Sequence, residues 1–314
     1  MNQIPTNSKR VLCIGDIALD VIVQLEIDGG RDGFSAFRYG SDTPSKVVTR
    51  GGGAAANVAS WLSSTDVQPE LLARIGADPV GHALITELEE EGVICHLREI
   101  PELATGTVVV LVDKSGERTM FPDSGANAGL SVSDLPELEG IQACYISGYS
   151  LFNKISHQGV REIFNKVTEA GIPIIFDPAS VGTMSAFADR DEVVKVIPTS
   201  NVMILNESEA RFLSGIEDAP VEECLQALTH LARIVVIKRN ESGAIALDAI
   251  SGERVSDRKV RHQPIDTTGA GDSFAAGFID LWLQSGDLFA AIEGGNLMAG
   301  RCVQVLGARP PKSR

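Results

Sequence analysis

Asp272 stands in a run of small residues, Asp266-Thr267-Thr268-Gly269-Ala270-Gly271-Asp272-Ser273-Phe274. Gly269, Ala270 and Gly271 let the chain turn tightly and present bare N–H groups. Phe274, Phe278, Leu281 and Trp282 then recur at helical spacing. The run predicts a helix N-terminus, where free amides and the positive end of the helix dipole attract phosphate. A carboxylate there would repel a phosphate that was only being stored. It is suited to take a proton from a hydroxyl attacking the phosphorus. The dipole is expected to keep it ionised at neutral pH. A plain helix start with an N-terminal Asp has the same local pattern.

Other positions are suited to ligands. Gly51-Gly52-Gly53-Ala54-Ala55-Ala56-Asn57-Val58-Ala59 allows close backbone approach, and Asn57 offers a donor and an acceptor to a sugar hydroxyl. The same small residues could simply let a helix pack on a sheet. Asp20 falls at the end of the first strand-like run, where open α/β sheets place ligand contacts; a turn-forming Asp is the other reading. Asn206 and Glu209 share one face of a predicted helix and suit Mg²⁺, or form a capping box. Lys238, Asn240 and Gly243 follow another strand and could line a nucleotide.

Short apolar runs must position these groups. They open at Val11 and recur at residues 71–75, 143–146, 172–176, 202–205 and 234–237. Amphipathic stretches at 79–92, 157–171 and 221–232 lie between them. Continuous apolar strands separated by helices predict a mainly parallel sheet covered on both faces. Residues 21–50 and 95–122 break the rhythm with hairpin-like sequence and predict a small β-sheet lid; an edge extension of the main sheet is the other reading. The α/β core is then 1–20, 51–94 and 123–314. The tail from Arg309 is expected to fray.

Composition narrows the function. The chain of 314 residues is 44% hydrophobic, and its net charge of −15 argues against nucleic acid and anionic membranes. No apolar run reaches transmembrane length and no secretory signal is visible. The five scattered cysteines read as reduced and structural, which places the protein in the cytoplasm. The glycine loop at 51–56 does not follow the first strand, as a dinucleotide fingerprint would, and no P-loop motif occurs.

Taken together, these stretches resemble the ribokinase-like, or PfkB, carbohydrate and nucleoside kinases over nearly the whole chain. Residues 51–59 resemble the family's N-terminal signature and 266–274 its C-terminal one. Gly76-Ala77-Asp78-Pro79-Val80-Gly81, Thr105-Gly106-Thr107 and Asn206-Glu207-Ser208-Glu209 match further segments. The resemblance implies a three-layer αβα domain with a β lid, phosphorylating a hydroxymethyl group with ATP and Mg²⁺. It makes Asp272 the base and the amides of Gly269, Ala270 and Gly271 an anion hole. Asp20, Gly52, Gly53 and Asn57 would bind substrate hydroxyls. Asn206 and Glu209 would hold Mg²⁺ and phosphates through water, Asp266 and Thr268 would coordinate a monovalent cation such as K⁺, and Asn296 would lie near the adenine. A homodimer through the lid is a further expectation.

The departures concern the acceptor. Ala54 stands where ribokinase has a lysine, and Tyr145-Ile146-Ser147-Gly148-Tyr149 lacks its acidic residue. Asp177-Pro178-Ala179-Ser180 lacks the Asn and Arg often found there, and Asn240 replaces a frequent glycine. A nucleoside would need aromatic groups, and Phe34, Phe37 and Tyr39 are the only cluster near the sugar motifs. A phosphosugar would want basic residues, for which Arg50 and Arg118 are the candidates. A free sugar is the expected acceptor, a nucleoside the alternative. A non-catalytic sensor would have no use for Asp272.

Overall fold

The computed structural model describes residues 9–25, 40–114, 118–257 and 264–311. Phe34, Phe37, Tyr39, Gly29, Gly30, Ser115, Gly116, His262 and the last three residues lie outside the described residues.

The chain opens with β1 (Lys9–Ile14), β2 (Ala18–Leu25), β3 (Ser45–Gly52), α1 (Ala54–Leu62), β4 (Val67–Gly76), α2 (Pro79–Glu90) and β5 (Ile94–Ile100). Strands β6 (Gly106–Val112), β7 (Arg118–Asp123) and β8 (Ile141–Ser147) follow, then α3 (Gly148–Leu151), α4 (His157–Glu169) and β9 (Ile174–Asp177). Helices α5 (Val181–Phe187) and α6 (Arg190–Val196) lead to β10 (Ser200–Asn206), α7 (Glu207–Ser214), α8 (Val221–Ala227) and β11 (Ala232–Lys238). The chain finishes with β12 (Ala244–Asp248), β13 (Arg254–Asp257), α9 (Ala270–Ser285) and α10 (Leu288–Cys302).

Among the described residues, nine strands form one sheet in the order β13-β12-β11-β10-β9-β8-β1-β4-β5. It is parallel from β11 to β5, with β12 and β13 antiparallel at one edge. Alternation within β1 shows why its run is continuously apolar. Val11 and Cys13 enter a cluster with α1, α2, α9 and α10, while Leu12 and Ile14 enter one with α3–α8. Both faces are covered, giving the expected three-layer αβα domain. Because β1 lies between β4 and β8, the chain order reverses there. Ligands of open α/β sheets bind at such a point, beyond the carboxyl ends of the strands.

The separate small sheet runs β3-β2-β6-β7. It begins later in its second half than the hairpin pattern suggested: Ile94–Ile100 pairs parallel to β4 in the large sheet. That strand completes a β–α–β unit, and its half-exposed edge position blurs the apolar run that marks the buried strands. In the first half, β2 already starts at Ala18, so Asp20 lies within the small sheet and not at the end of β1. Asp78 fastens the small sheet to the core. It caps α2 through Gly81 N at 2.8 Å and accepts from Thr105 N and Thr105 Oγ1, both at 2.8 Å.

Candidate active site

Two helix N-termini meet above the switch point. Helix α9 begins after Gly269, whose φ of 75° is left-handed; a Cβ there would sit 2.5 Å from the Ala308 carbonyl oxygen. Glycine is required on both counts. Helix α1 begins after Gly53. The two helices are joined by one hydrogen bond: Asn57 Nδ2 donates to Asp272 Oδ2 at 2.8 Å. Asp272 is partly buried. Burial pushes its pKa up and the Asn57 bond opposes that; Asp177 and Asp16 add to the rise, Lys238 resists it, and the result is about 7. The expectation of a carboxylate ionised by the helix dipole is corrected here, because desolvation outweighs a dipole worth only a fraction of a charge.

On the side of α9 that faces β9–β11, Lys238 Nζ lies 3.2 Å from the point where a Cβ on Gly271 would sit, and 3.1 Å from Asp177 Oδ2. Burial opposes the ammonium charge, but Asp177 and Glu209 outweigh it and hold the lysine above its ordinary pKa. Of the amides expected in the anion hole, Ala270 N donates to Thr267 O at 3.3 Å. The Gly271 amide belongs to the first turn, where no carbonyl within the helix is available to it.

Asn206 and Glu209 form the capping box that opens α7. Asn206 Oδ1 accepts from Glu209 N at 2.9 Å, Glu209 Oε2 accepts from Asn206 N at 2.7 Å, and Asn206 Nδ2 donates to Glu209 Oε1. Glu209 is buried, which with Asp177 raises its pKa. Among the described residues no three acidic, His or Cys side chains gather to hold a metal. A Mg²⁺ ion fits this donor set only as one carried largely by nucleotide phosphates and water. Asn240 takes a φ of 49°, tolerable for Asn and a reason glycine also suits that turn; Arg239 N closes it on Gly243 O at 2.7 Å. Asn296 on α10 is tied to Asp257 Oδ2 at 2.9 Å.

The opposite side, toward β2 and β3, holds the candidate substrate residues. Gly52 backs onto Asp20: a Cβ would fall 2.4 Å from its carboxylate atoms. Burial raises Asp20 to about 6 against the pull of Arg309. Sequence reasoning passed over Asp16, whose Oδ2 caps α1 through Ala54 N at 2.8 Å while Oδ1 is buried without a hydrogen bond. It also misplaced the tail. Arg309, expected to fray, is 7% exposed, donates Nη2 to Gly52 O at 3.0 Å and Nε to Asn57 Oδ1 at 3.4 Å, and approaches Glu87 at 3.6 Å. No spacing signal could have found it, because the contact spans about the whole chain.

Asp266 and Thr268 lie together, but as a closed set. Asp266 Oδ1 accepts from Arg118 Nη2 at 2.6 Å, Thr268 N at 2.9 Å and Thr268 Oγ1 at 2.7 Å; Oδ2 accepts from Gly307 N at 2.9 Å. Burial pulls the Asp266 pKa up, yet these bonds and Arg118 prevail and lower it. The residues as arranged do not fit a potassium ion, contrary to the expectation from resemblance. Arg118 is correspondingly engaged and not open to a phosphosugar.

This architecture and site define a sugar or nucleoside kinase. The chain belongs to the pfkB family of carbohydrate kinases, whose family description matches residues 8–314. It is 30% identical over 236 residues to a fructokinase of Vibrio alginolyticus, covering 73% of this chain and 75% of that one. Its fold is shared with adenosine kinase from Sinorhizobium meliloti, at a TM-score of 0.82 and 23% identity, covering 97% of this chain and 96% of that one. It is also shared with Vibrio cholerae O395 fructokinase bound to fructose, ADP and calcium, at a TM-score of 0.76 and 24% identity over 96% and 94% of the two chains. No helix among the described residues is long and apolar enough to cross a membrane.

Proposed function

We propose that this chain transfers the γ-phosphoryl group of ATP to a hydroxymethyl group of a free sugar, with Asp272 as general base. One observation carries the reading. Asp272 sits in the first turn of α9, beside Gly271 and Lys238, and bonds to Asn57 from the substrate-side helix. A hydroxyl held near Asn57, Gly53 and Asp20 would have phosphorus on one side and the base on the other. As the new O–P bond forms, the bond from γ-phosphorus to the bridging oxygen breaks; the hydroxyl proton passes to Asp272 and ADP leaves. A pKa of about 7 suits a base that must be free before the step and protonated after it.

The Gly269–Gly271 turn and Lys238 would stabilise charge on the transferring group, one such donor contributing about 3 kcal/mol. Mg²⁺ would neutralise the phosphates when bound. Asn206, Asn240, Gly243 and Asn296 line the nucleotide in this reading, and the small sheet is a lid that excludes water. The free-sugar assignment is supported by the fructokinase relatives and by Arg118 and Arg50. Arg118 is held by Asp266, and Arg50 is exposed and bonded to Thr49 O at 2.9 Å. The cytoplasm supplies the ATP. Val47 and Phe121, exposed on one face of the small sheet, are the proposed centre of a homodimer contact.

The test is an ADP-release screen across pentoses, hexoses, keto-deoxy acids, sugar phosphates and nucleosides. A free sugar is expected to give the highest kcat/KM. A preferred nucleoside would replace the acceptor assignment. ADP release from no acceptor would overturn the kinase reading.

A further inference from the structure

The turn that carries the anion hole is organised around a guanidinium. Asp266 is the hub of residues 264–269. Its Oδ1 already takes three donors and its Oδ2 takes the Gly307 amide. A carboxylate oxygen offers about two lone-pair directions, so Oδ1 has none left for a metal ion. Two nearby carbonyls are engaged, Val303 O by two donors and Thr268 O by one. Val303 O accepts from Ile265 N at 2.7 Å and Asp266 N at 3.3 Å, and Thr268 O accepts from Cys302 Sγ at 3.3 Å. The cavity beside the turn, about 200 Å³, is lined by Ile22, Val110 and Val112 as well as by Gln24, Asp266 and Thr268, and Arg118 is the cationic side chain in its lining.

Arg118 supplies the positive charge instead. It comes from β7, on the small sheet, while Asp266 belongs to the core loop that ends in Gly269. The side chains are 18% and 9% exposed, so the pair is partly desolvated and its attraction is little screened. We infer that the Arg118 guanidinium serves as the cation of the anion-hole turn in place of a monovalent metal ion, and that the turn is therefore ordered only while the small sheet is seated on it. A free ion would order the turn whatever the position of the small sheet. A tethered one couples the two: lifting β7 withdraws the charge from Asp266 and loosens the Thr268 and Gly307 contacts that depend on it. Arg118 is thus a positioning residue, acting on phosphate through the turn. The inference rests on residues 269–271 being the phosphate site.

Two readouts separate its failure from failure of the kinase reading. The first is the melting temperature of the unliganded protein in potassium, sodium and choline chloride at equal ionic strength, which needs no activity. The wild type is expected to melt at the same temperature in all three, whereas Arg118→Ala melts lower in choline and is selectively raised by potassium. The second is turnover with the acceptor found by the screen. The wild type is expected to be indifferent to the monovalent salt. Arg118→Ala is expected to lose about tenfold or more in kcat, with recovery by potassium or by millimolar guanidinium, and Arg118→Lys to retain most of the rate. A wild type that potassium stabilises or activates severalfold over choline overturns the inference. So does an Arg118→Ala variant that melts and turns over like wild type in choline. Should Arg118→Ala fail to fold, the wild-type salt series and Arg118→Lys still decide.

Discussion

The two glycine turns, at 51–53 and 269–271, have similar composition, each opens a helix, and the helices meet at Asn57 and Asp272. They are held differently. The first grows out of β3 of the small sheet: Asp16 caps Ala54 from the core, Gly52 lies against Asp20 on the neighbouring strand, and Arg309 donates to Gly52 O. Among the described residues the second continues no strand of the sheets. Its supports are Asp266, the Ala308 backbone that forces Gly269, and an arginine reaching over from the small sheet. The first turn continues a strand of the small sheet, the second meets that sheet through the Arg118 side chain, and the tail touches both. On the proposed assignment the substrate side moves with the backbone of the small sheet, whereas the phosphate side is coupled to that sheet through the Arg118 side chain, so both depend on the lid being closed over the site.

The comparison gives Asp272 a role distinct from both turns, and removing it should have the largest effect. Asp272→Asn keeps the shape and can still accept from Asn57. Turnover is expected to fall about 10²–10⁴-fold with ADP affinity nearly unchanged. Steady-state kinetics and calorimetry check this, and near-normal kcat at saturating acceptor would reject the base.

Next come paired substitutions, one per turn. Gly269→Ala drives a methyl into the Ala308 carbonyl, and Gly52→Ala drives one into the Asp20 carboxylate. Overpacking of this kind costs about 1–3 kcal/mol, roughly five- to more than a hundredfold when expressed in a kinetic constant. For Gly269→Ala the loss should appear in kcat, for Gly52→Ala in the KM of the acceptor. Identical profiles for the two would erase the distinction drawn between the turns.

Smaller effects are expected from the bridge between them. Asn57→Ala removes a hydrogen bond that lowers the Asp272 pKa, so the acidic limb of kcat/KM should move above its expected midpoint near 7. Loss of a bond to a charged group is worth about 1.5–3 kcal/mol. Arg309→Met should shift the limb in the same direction by less, since its bond to Asn57 is longer, and should raise the acceptor KM through Gly52. Arg309→Lys should restore part of both. A pH profile that neither variant moves would reduce the tail to a packing role.

What the sequence made legible follows from range. The strands of the large sheet are continuous apolar runs because both their faces are covered, and the helix after Gly271 announces itself by spacing. Such signals are local. Ile94–Ile100 reads as lid or as sheet edge from its sequence, because an edge strand is half exposed and loses its apolar signature. The capping box at Asn206 and Glu209 could be read as either cap or ligand set, since the same atoms serve both. The order of Arg309 and the partner of Arg118 were not legible because the groups they bond lie 252 and 148 residues away, and no window spans that distance. The Asp272 pKa failed for a related reason. The dipole that favours its charge is local, while the enclosure that opposes it comes from tertiary packing.

The smallest expected effect is on stability, and its sign follows from that enclosure. Burial lifts Asp272 from its ordinary 3.8 to about 7. Over that interval the folded protein keeps a proton that the unfolded chain releases. By linkage, stability contributed by this group is fully present below about pH 4 and is lost as pH rises through about 7. Above pH 7 the folded protein holds a partly buried, ionised carboxylate that Asn57 and Lys238 do not fully compensate. Asp272→Asn removes that charge and keeps the shape. The variant is expected to melt a few degrees above wild type at pH 8, with the gap closing toward pH 5; for a chain of this size each kcal/mol is worth roughly 1–2 °C. Differential scanning fluorimetry at the two pH values checks it. Equal melting temperatures at pH 8 would mean that the compensation is complete, and an acidic limb near pH 7 in the rate would then belong to another group.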